Sequence, residues 1–552
     1  MAPPTRREFL RHAGTAMAGL TVPWIAGCGD GRAPGDSGLP AGEAGPPIAT
    51  FQHGVASGDP LHDRVILWTR VTPAVPGGAS VTWTLGTDPE ISQVLASGTV
   101  GTGPGRDYTV KVDASGLAPD TIYYYRFAVG GAVSPTGRTR TAPLGGVSAL
   151  KFAVVTCGDF SRGFFQAYAR VAERDDLNAV IHLGDYIYEN GNTDRVRPHE
   201  PPHEVRTLDG YRSRYSSYRR EPQLAALHAR HPMIWVWDDH ETVNDAWREG
   251  SDDHDDAEDG PFPARAAAAL QAALEWMPIR SPDSSNPLRI YRSFAFGDLV
   301  DLIMIDTRRI GRDRPPQTNA LFQDIGVVTE SGEAADPARQ MLGLEQEAWL
   351  AGQFAASTAH WRLLGNQVIF SPLKVLGTPR ATGTSLYLSA DKWDGYFAAR
   401  DRVLDMMRAT NNVVVLTGDA HESYAFEVTP DPNNPLAYNP LTGAGALAVE
   451  FLTPAITSRG DPADTDSLTG VLDAGADAFE RLLQVTNPHL KYFENTLNGY
   501  VMLDITMDRV NAEFWHVPMV TEPTEEQALG AAFTVASGSN HLERLDGLPE
   551  PL

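Results

Sequence analysis

The chain reads Ala179-Val180-Ile181-His182-Leu183 and then Gly184-Asp185-Tyr186-Ile187-Tyr188-Glu189. The first five residues form a largely apolar run with the length of a buried strand, and the next six bring carboxylate and phenol side chains together. Polar side chains that directly follow a buried strand lie at the edge of a sheet where open α/β folds bind their ligands. The stretch therefore predicts an α/β fold with a ligand site beside Asp185.

The same pattern of an apolar run followed by polar side chains recurs along the chain. Predicted strands are Phe152–Val155, Ala179–Leu183, Met233–Trp237, Leu299–Ile305, Leu363–Phe370 and Val413–Leu416, and predicted helices are Ala264–Met277 and Leu344–Ala356. The polar clusters after the other strands are Cys157-Gly158-Asp159, Asp238-Asp239-His240-Glu241, Asp306-Thr307-Arg308-Arg309, Asn366-Gln367 and Gly418-Asp419-Ala420-His421-Glu422. One such cluster is also typical of a turn, but a series of them after core strands predicts a single site.

The residue types in these clusters point to a metal centre. Asp185, Asp239, Asp419 and His421 offer carboxylate oxygens and imidazole, and converging carboxylates repel one another unless cations neutralise them. Each side chain also has an ordinary structural interpretation. Cys157 could be a small buried residue, Tyr188 a core aromatic, and His240 or His421 an interior histidine. Their grouping favours the metal centre.

Three arginines beside these clusters are candidates for binding a phosphate group. Arg162 follows the Cys157 cluster, and Arg308 and Arg309 end another predicted strand. A guanidinium group can bind phosphate through two parallel hydrogen bonds. The alternative for all three is a surface or interdomain salt bridge.

The chain before residue 148 has a different pattern. Short strands with alternating apolar residues, such as Val65–Arg70, Val81–Leu85 and Thr121–Phe127, are separated by Gly, Pro and Asp turns. This spacing predicts a small β-sandwich over residues 48–143, followed by a catalytic domain over residues 148–540. The sandwich either shapes substrate access or serves as a packing partner, and the absence of clustered titratable groups favours packing.

The first residues resemble an export signal. Thr5-Arg6-Arg7-Glu8-Phe9-Leu10-Arg11 precedes a short apolar stretch, which predicts a twin-arginine signal over residues 1–28 and contact with that export machinery. Ile25-Ala26-Gly27-Cys28 resembles a lipobox, although ordinary signal cleavage is the alternative. Residues 29–47 are rich in Gly, Pro and Ala and predict a disordered tether. We expect a periplasmic or extracellular protein that meets a membrane only through a lipid on Cys28.

Composition limits the other possibilities. The chain has 45 Lys and Arg against 70 Asp and Glu, a formal net charge of −25, which opposes a stable complex with nucleic acid. It has two cysteines, Cys28 and Cys157, so a disulfide framework does not hold the fold together.

Several motifs resemble a known family. Gly184-Asp185, Asp238-Asp239-His240-Glu241 and Gly418-Asp419-Ala420-His421 are similar to the successive blocks of calcineurin-like metallophosphoesterases. That superfamily usually has Asn where this chain has Asp239, and the Asp-Asp-His-Glu version is usual in the alkaline phosphatase D family. Phe51-Gln52-His53-Gly54-Val55-Ala56-Ser57-Gly58-Asp59-Pro60 and Trp393-Asp394-Gly395-Tyr396 extend the resemblance over nearly the whole chain after the tether.

The resemblance implies a fold and a set of ligands. The fold would be a four-layer α/β (α+β) metallophosphoesterase core, with two packed β-sheets flanked by helices, preceded by a small fibronectin-like β-sandwich. Relatives in the family pair a ferric ion, Fe(3+), with calcium, Ca(2+). By that resemblance, Cys157, Asp185, Tyr188 and His421 would bind iron; Asp239, Asn244 and Asp419 would bind calcium, with Asp185 bridging towards it.

The activity expected from these implied metal ligands is phosphate ester hydrolysis. The sequence predicts an exported metal-dependent phosphoesterase, monomeric, that acts on phosphomonoesters, phosphodiesters or both by attack of a metal-bound hydroxide. His240 would protonate or stabilise the departing alkoxide, and Arg162 would bind the phosphate. The alternatives are a phospholipid-cleaving phosphodiesterase and a non-catalytic surface-binding lipoprotein.

Overall fold

A computed structural model describes residues 49–191, 195–280, 285–318, 327–458 and 476–545. The predicted signal over residues 1–28 and the predicted tether over residues 29–47 lie outside the described residues. Among the described residues, none of the helices combines the length and the apolar character needed to span a bilayer.

The N-terminal region contains ten strands within the described ranges. They are β1 Ala49–Thr50, β2 Val55–Gly58, β3 Arg64–Arg70, β4 Thr72–Pro73, β5 Ala79–Gly86, β6 Ala96–Thr102, β7 Thr109–Ser115, β8 Ile122–Val129, β9 Ala132–Val133 and β10 Gly137–Arg140. The strands predicted at Val65–Arg70, Val81–Leu85 and Thr121–Phe127 are therefore confirmed to within a few residues.

The rest of the described chain contains sixteen further strands. They are β11 Ala149–Val155, β12 Ala179–His182, β13 Pro232–Trp235, β14 Arg292–Phe296, β15 Val300–Met304, β16 Trp361–Gly365, β17 Lys374–Leu376, β18 Leu386–Tyr387, β19 Val413–Thr417, β20 Ser423–Val428, β21 Ala448–Leu452, β22 Leu490–Glu494, β23 Asn498–Thr506, β24 Arg509–Val517, β25 Ala528–Ala536 and β26 Leu542–Arg544.

Eight α-helices connect or flank these strands in the described ranges. They are α1 Gln166–Ala172, α2 Leu208–Arg219, α3 Pro222–Arg230, α4 Asp256–Asp259, α5 Phe262–Trp276, α6 Gly343–Ala356, α7 Phe397–Arg408 and α8 Ala476–Thr486. The two helices predicted from sequence correspond to α5 and α6, displaced at their ends by one or two residues.

One strand prediction was wrong in its second half. The apolar run Leu363–Phe370 predicted a strand throughout, but β16 ends at Gly365. Asn366 and Gln367 turn the chain there, because Asn366 Nδ2 donates to the carbonyl of Val368 at 2.6 Å and Gln367 Oε1 accepts from Thr307 Oγ1 at 2.7 Å. The remaining apolar residues are buried outside the strand.

Two large sheets dominate the described part of the fold. A ten-stranded sheet has the order β26-β25-β24-β23-β11-β12-β13-β2-β3-β7, and a seven-stranded sheet has the order β14-β15-β16-β19-β21-β20-β22. Neighbours β11, β12 and β13 are parallel, as are β15, β16, β19 and β21, so their carboxyl ends lie at common edges. The mixed α/β class predicted from the sequence is confirmed.

The main hydrophobic cluster contains residues of both large sheets. Phe152 of β11 and Phe296 of β14 meet edge to face with ring centroids 4.9 Å apart, and Trp361 of β16 donates to the carbonyl of Thr506 in β23. A second cluster joins Ile303 and Val415 of the seven-stranded sheet to α6 and α7. These contacts fix the strand ends that carry the polar clusters.

The N-terminal strands divide between two sheets. Strands β5, β6, β8, β9 and β10 form a sheet of their own, whereas β2, β3 and β7 extend the ten-stranded sheet through the pairing of Ser57 with Pro232. A cluster that includes Val81, Val110 and Phe127 fills the space between the two N-terminal layers. The N-terminal region is thus hydrogen-bonded into the sheet that carries Asp185.

Candidate metal centre

Four of the predicted ligands share an unusual backbone conformation. Cys157, Asp185, Asp419 and His421 have φ values of +55°, +56°, +66° and +64°, in the left-handed region that L-residues rarely adopt. Backbone strain of this kind persists where the surrounding structure imposes it and is concentrated at functional sites. Gly184 has φ of +107°, and a Cβ atom there would lie 2.4 Å from the amide nitrogen of Asp238. Glycine therefore allows two ligand-bearing turns to approach each other.

One group of predicted ligands meets around Asp185. Cys157 Sγ lies 3.4 Å from Asp185 Oδ2, and the Tyr188 hydroxyl donates to the same oxygen at 3.0 Å. The Tyr188 oxygen also lies 3.2 Å from His421 Nε2. Donor atoms of Cys157, Asp185 and His421 all fall within 4.8 Å of one another. The structure brings together the four residues for which the family resemblance implies an iron site.

Two further groups adjoin the first. Asp185, Asp239 and His240 form one, and Asp238, Asp239 and Asp419 form the other, each with donor atoms within 4.8 Å of one another. Asp185 belongs to the first and second groups, and Asp239 to the second and third. Such sharing suits neighbouring cations bridged by carboxylates.

Asn244 lies beside these groups but turns part of its side chain away. Its Nδ2 donates to Asp253 at 2.8 Å, and its backbone N–H donates to Glu189 Oε1 at 2.8 Å. The role of Asn244 as a ligand stays a prediction.

The electrostatics of the first group fit a bound cation. Burial, followed by the charge of Asp185, raises the pKa of the Cys157 thiol and of the Tyr188 phenol well above their ordinary values. Burial also lowers the pKa of His421 to about 3, which leaves a neutral imidazole. Oδ1 of Asp185 is buried without a hydrogen-bond partner. A cation would satisfy that oxygen and favour the deprotonated thiol and phenol, so these residues fit a metal.

Arg308 is the residue whose position departs most from expectation. Its side chain is fully buried and pairs with Asp238 at 2.5 Å, Asp391 at 2.7 Å and Asp419 at 2.6 Å. A fourth, longer contact of 3.4 Å reaches Asp239. Arg308 therefore balances carboxylates of the centre and has no exposed face for a phosphate. Its contacts are those of a buried salt-bridge residue, within the centre rather than at the surface, and not those of a residue that binds phosphate.

Arg309 also makes structural contacts. Its Nη1 donates to the carbonyl of Trp247 at 2.6 Å, and its guanidinium carbon lies 4.8 Å from the centroid of the Phe262 ring. Like Arg308, it is buried.

Arg162 lies at the rim of the centre. Its side chain is 18% exposed, and its Nε lies 3.4 Å from Oδ2 of the buried Asp159. Its positive charge contributes, after burial, to the lowered pKa of His421. The structure thus places the predicted phosphate-binding arginine near the first ligand group with part of its side chain accessible.

His240 is held by a residue for which the sequence analysis assigned no role. Glu189 Oε2 lies 2.7 Å from His240 Nδ1, and the imidazole packs on Tyr188 with ring centroids 4.1 Å apart. Burial alone would lower the pKa of His240, but the charges of Glu189, Asp185 and Asp239 outweigh it and raise the pKa. Within the described residues, no hydrogen bond is found for Nε2.

Glu241 ties the two ligand-bearing turns together. Its carboxylate accepts the backbone N–H groups of Asp185 at 3.1 Å, Tyr186 at 2.6 Å and Asp238 at 2.8 Å. Burial raises its pKa to about 7. Its place in the Asp-Asp-His-Glu block was the sequence signal that could have marked it as part of the site, although not its backbone partners.

Arg214 fixes the segment that follows Tyr188. The side chain is fully buried on α2, and its guanidinium donates to the carbonyl of Tyr188. Further bonds reach the carbonyls of Asn190 at 2.9 Å, Pro201 at 2.9 Å, His203 at 3.1 Å and Glu200 at 3.3 Å. Arg214 therefore supports the turn that carries both Tyr188 and Glu189.

Comparisons with known proteins cover nearly the whole chain. The family described as PhoD-like phosphatase matches residues 152–514, and its N-terminal domain matches residues 39–143. Alkaline phosphatase D of Bacillus subtilis (strain 168) is 35% identical over 563 residues, which cover 98% of this chain and 89% of that protein. A solved structure described as "Structure of PhoD" has a TM-score of 0.80 and 35% identity, and the match covers 90% of this chain and 92% of the other.

Proposed function

We propose that this chain, which belongs to the PhoD-like phosphatase family and is a phosphatase, is exported from the cytoplasm. We further propose that it is a metal-dependent phosphoesterase. Its substrates would be phosphomonoesters, phosphodiesters or both. The observation that carries the metal dependence is the convergence of Cys157, Asp185, Tyr188 and His421 around one buried carboxylate.

The donor atoms support a mixed pair of cations. Cys157, Asp185, Tyr188 and His421 would hold Fe(3+), since thiolate and phenolate are anionic, polarisable ligands that suit a high-valent transition metal. Asp239, Asn244 and Asp419 would hold Ca(2+), which prefers carboxylate and amide oxygens. When bound, such cations activate water and neutralise the charge of phosphoryl oxygens.

The protein's own residues then divide the remaining tasks. Arg162 would bind a non-reacting phosphoryl oxygen through its guanidinium group. Glu189 holds the imidazole of His240 through Nδ1, so that Nε2 would donate a proton to the departing ester oxygen. Arg308 and Glu241 keep the carboxylates and the ligand-bearing turns in place.

The finer features of architecture and location belong to the same proposal. We infer a four-layer core in which helices flank the two large sheets, and a fibronectin-like N-terminal sandwich. The sequence Thr5–Arg11 supports export through the twin-arginine machinery to the periplasm or the cell exterior, and Cys28 supports a lipid anchor.

The test measures metal content and phosphate release on the same preparation of the full chain. Hydrolysis of p-nitrophenyl phosphate and bis-p-nitrophenyl phosphate is followed before and after a calcium chelator and again after calcium is restored. We expect bound iron and hydrolysis that the chelator abolishes and calcium restores. A metal-free protein that still hydrolyses either ester would overturn the metal dependence.

A matched variant separates catalysis from metal binding. His240→Ala should retain iron and lose at least about a hundredfold in turnover, because proton transfer by a positioned side chain contributes on the order of 10²–10⁴. Unchanged turnover in this variant would contradict the role of His240. The ratio of the two ester rates would establish the substrate preference.

A further inference from the structure

Arg219 is a buried cation that the proposed mechanism does not use. It is the last residue of α2, and its side chain is among the largest fully buried in the described part of the chain. All three guanidinium nitrogens lack a hydrogen-bond partner, and within the described residues no ion pair to a carboxylate is found for them. Its guanidinium carbon lies 4.2 Å from the centroid of the Trp68 ring.

The Trp68 contact does not compensate for this burial. The free-energy cost of burying an isolated ion away from water exceeds the stabilisation that one cation–π contact supplies. Buried charges in proteins are therefore paired or bound to an ion of opposite sign. Arg219 lacks a protein partner of that kind among the described residues.

The polar groups near Arg219 also lack partners. Burial and the charges of Arg70, Arg219 and Arg220 lower the pKa of His53 to about 3, and burial and Arg219 lower the pKa of His228. Both imidazoles are therefore neutral and lie within reach of the Arg219 charge. His53 Nδ1 and His228 Nδ1 are buried without hydrogen-bond partners.

Two hydroxyl groups also lie in the cluster of polar groups around Arg219. Tyr125 of β8 lies within reach of the Arg219 charge, which lowers the pKa of that phenol, although burial raises it by more. The Tyr125 hydroxyl lies beside the hydroxyl of Ser57 in β2, and their contact also lowers that pKa. Apart from this contact, neither buried hydroxyl has a hydrogen-bond partner among the described residues.

Each imidazole has one ring nitrogen in contact with a hydroxyl and one without a partner. His53 Nε2 lies 2.8 Å from the Ser216 hydroxyl, and His228 Nε2 lies 2.8 Å from the Tyr186 hydroxyl. When these hydroxyls donate to Nε2, the ring proton lies on Nδ1 and can be donated to a ligand. The guanidinium, the imidazoles and the hydroxyls can then all donate hydrogen bonds, and within the described residues no carboxylate neutralises Arg219.

We propose that a small monovalent inorganic anion of the chloride type binds beside Arg219. Water would accept some of these hydrogen bonds, but only an anion would also neutralise the guanidinium. A single negative charge matches the single cation. Ser57, Trp68 and Tyr125 come from β2, β3 and β8, whereas Arg219 and His228 come from α2 and α3. The anion would therefore link the N-terminal strands to the helices of the catalytic part.

The first experiment follows thermal unfolding of the metal-loaded full chain as sodium bromide replaces sodium gluconate at constant ionic strength. We expect a saturable rise in Tm of roughly 2 °C or more, since a ligand that binds only the folded state stabilises it. Arg219→Met should lose this rise. Arg408→Met removes an exposed arginine of α7 and should retain it. No rise in the unaltered chain, or an equal rise in Arg219→Met, would overturn the proposal.

The second experiment locates the ion without any variant. Crystals of the unaltered protein grown with bromide should give an anomalous difference peak within hydrogen-bond distance of the Arg219 guanidinium. Water alone at that position would contradict the proposal even if bromide bound elsewhere, for instance at the metal centre. Neither experiment depends on activity, so a failed phosphatase assay would leave this result unaffected.

Discussion

Glu189 Oε2 lies 2.7 Å from His240 Nδ1, and this contact joins residues 51 positions apart in the chain. The carboxylate thus fixes the orientation of the imidazole ring. The same carboxylate accepts the backbone N–H of Asn244. In the proposed mechanism, Glu189 is therefore a positioning residue for His240.

We expect Glu189→Gln to lower turnover about 10–100-fold while leaving metal content unchanged, because groups that orient functional side chains typically contribute that much. Steady-state hydrolysis and metal analysis on one preparation measure both quantities. Glu249→Gln changes a side chain that is 75% exposed and serves as the control. It should leave both turnover and metal content unchanged. Loss of metal together with activity would instead place Glu189 among the ligands.

Arg308→Met should destabilise the protein by about 3–5 kcal/mol, the cost of removing one partner from a buried ion pair. The carboxylates of Asp238 and Asp419 would lose their counter-ion. Urea unfolding of the metal-free chain measures the free energy of unfolding. The control is Arg314→Met, an exposed pair with Asp252, which should change stability by no more than about 0.5 kcal/mol. Equal effects of the two changes would contradict the arrangement described.

Arg214→Lys keeps the charge but cannot reach five carbonyl groups at once. We expect a loss of about 2–3 kcal/mol in stability and faster amide exchange around Tyr188. Hydrogen-exchange mass spectrometry of the peptide that contains Tyr188 measures the local effect. Arg220→Lys, two-fifths exposed on the same helix end, is the control. Unchanged exchange in Arg214→Lys would show that the segment is held by other contacts.

Tyr188→Phe removes one donor atom but preserves the ring that packs on His240. We expect less transition metal per chain and little change in calcium, measured by elemental analysis after dialysis. Tyr108→Phe, in the turn before β7, is the control because its hydroxyl accepts the exposed backbone N–H of Gly77 and lies in the N-terminal region. Full iron occupancy in Tyr188→Phe would exclude its hydroxyl from the iron site.

The convergence of the candidate ligands was predictable because most of them follow an apolar run in the sequence. Asp185 comes three residues after β12 ends, beyond Leu183 and Gly184, and Asp419 comes two residues after β19 ends. A buried strand has a simple sequence pattern, and its polar end marks the edge of the sheet. The resemblance to the alkaline phosphatase D family, which rests on these same blocks, is confirmed.

The supporting residues could not be predicted in this way. Arg308 could equally clamp a phosphate or balance carboxylates, and only its buried contacts with Asp238 and Asp419 distinguish the two. Glu241 accepts the N–H of Tyr186, 55 residues earlier in the chain. Such pairings depend on how distant turns meet, which local periodicity does not encode. The pairing of Ser57 with Pro232, which joins the N-terminal strands to the large sheet, is of the same kind.

The position of β11 in its sheet has a consequence for how the protein is made. This strand, which leads directly to Cys157, lies between β12 and β23, and its partner β23 spans Asn498–Thr506 near the end of the chain. A ribosome must therefore finish most of the polypeptide before the strand acquires its second neighbour. His421 is also synthesised late. We expect the metal centre to form only after translation is nearly complete, so that nascent chains do not take up metal at this site.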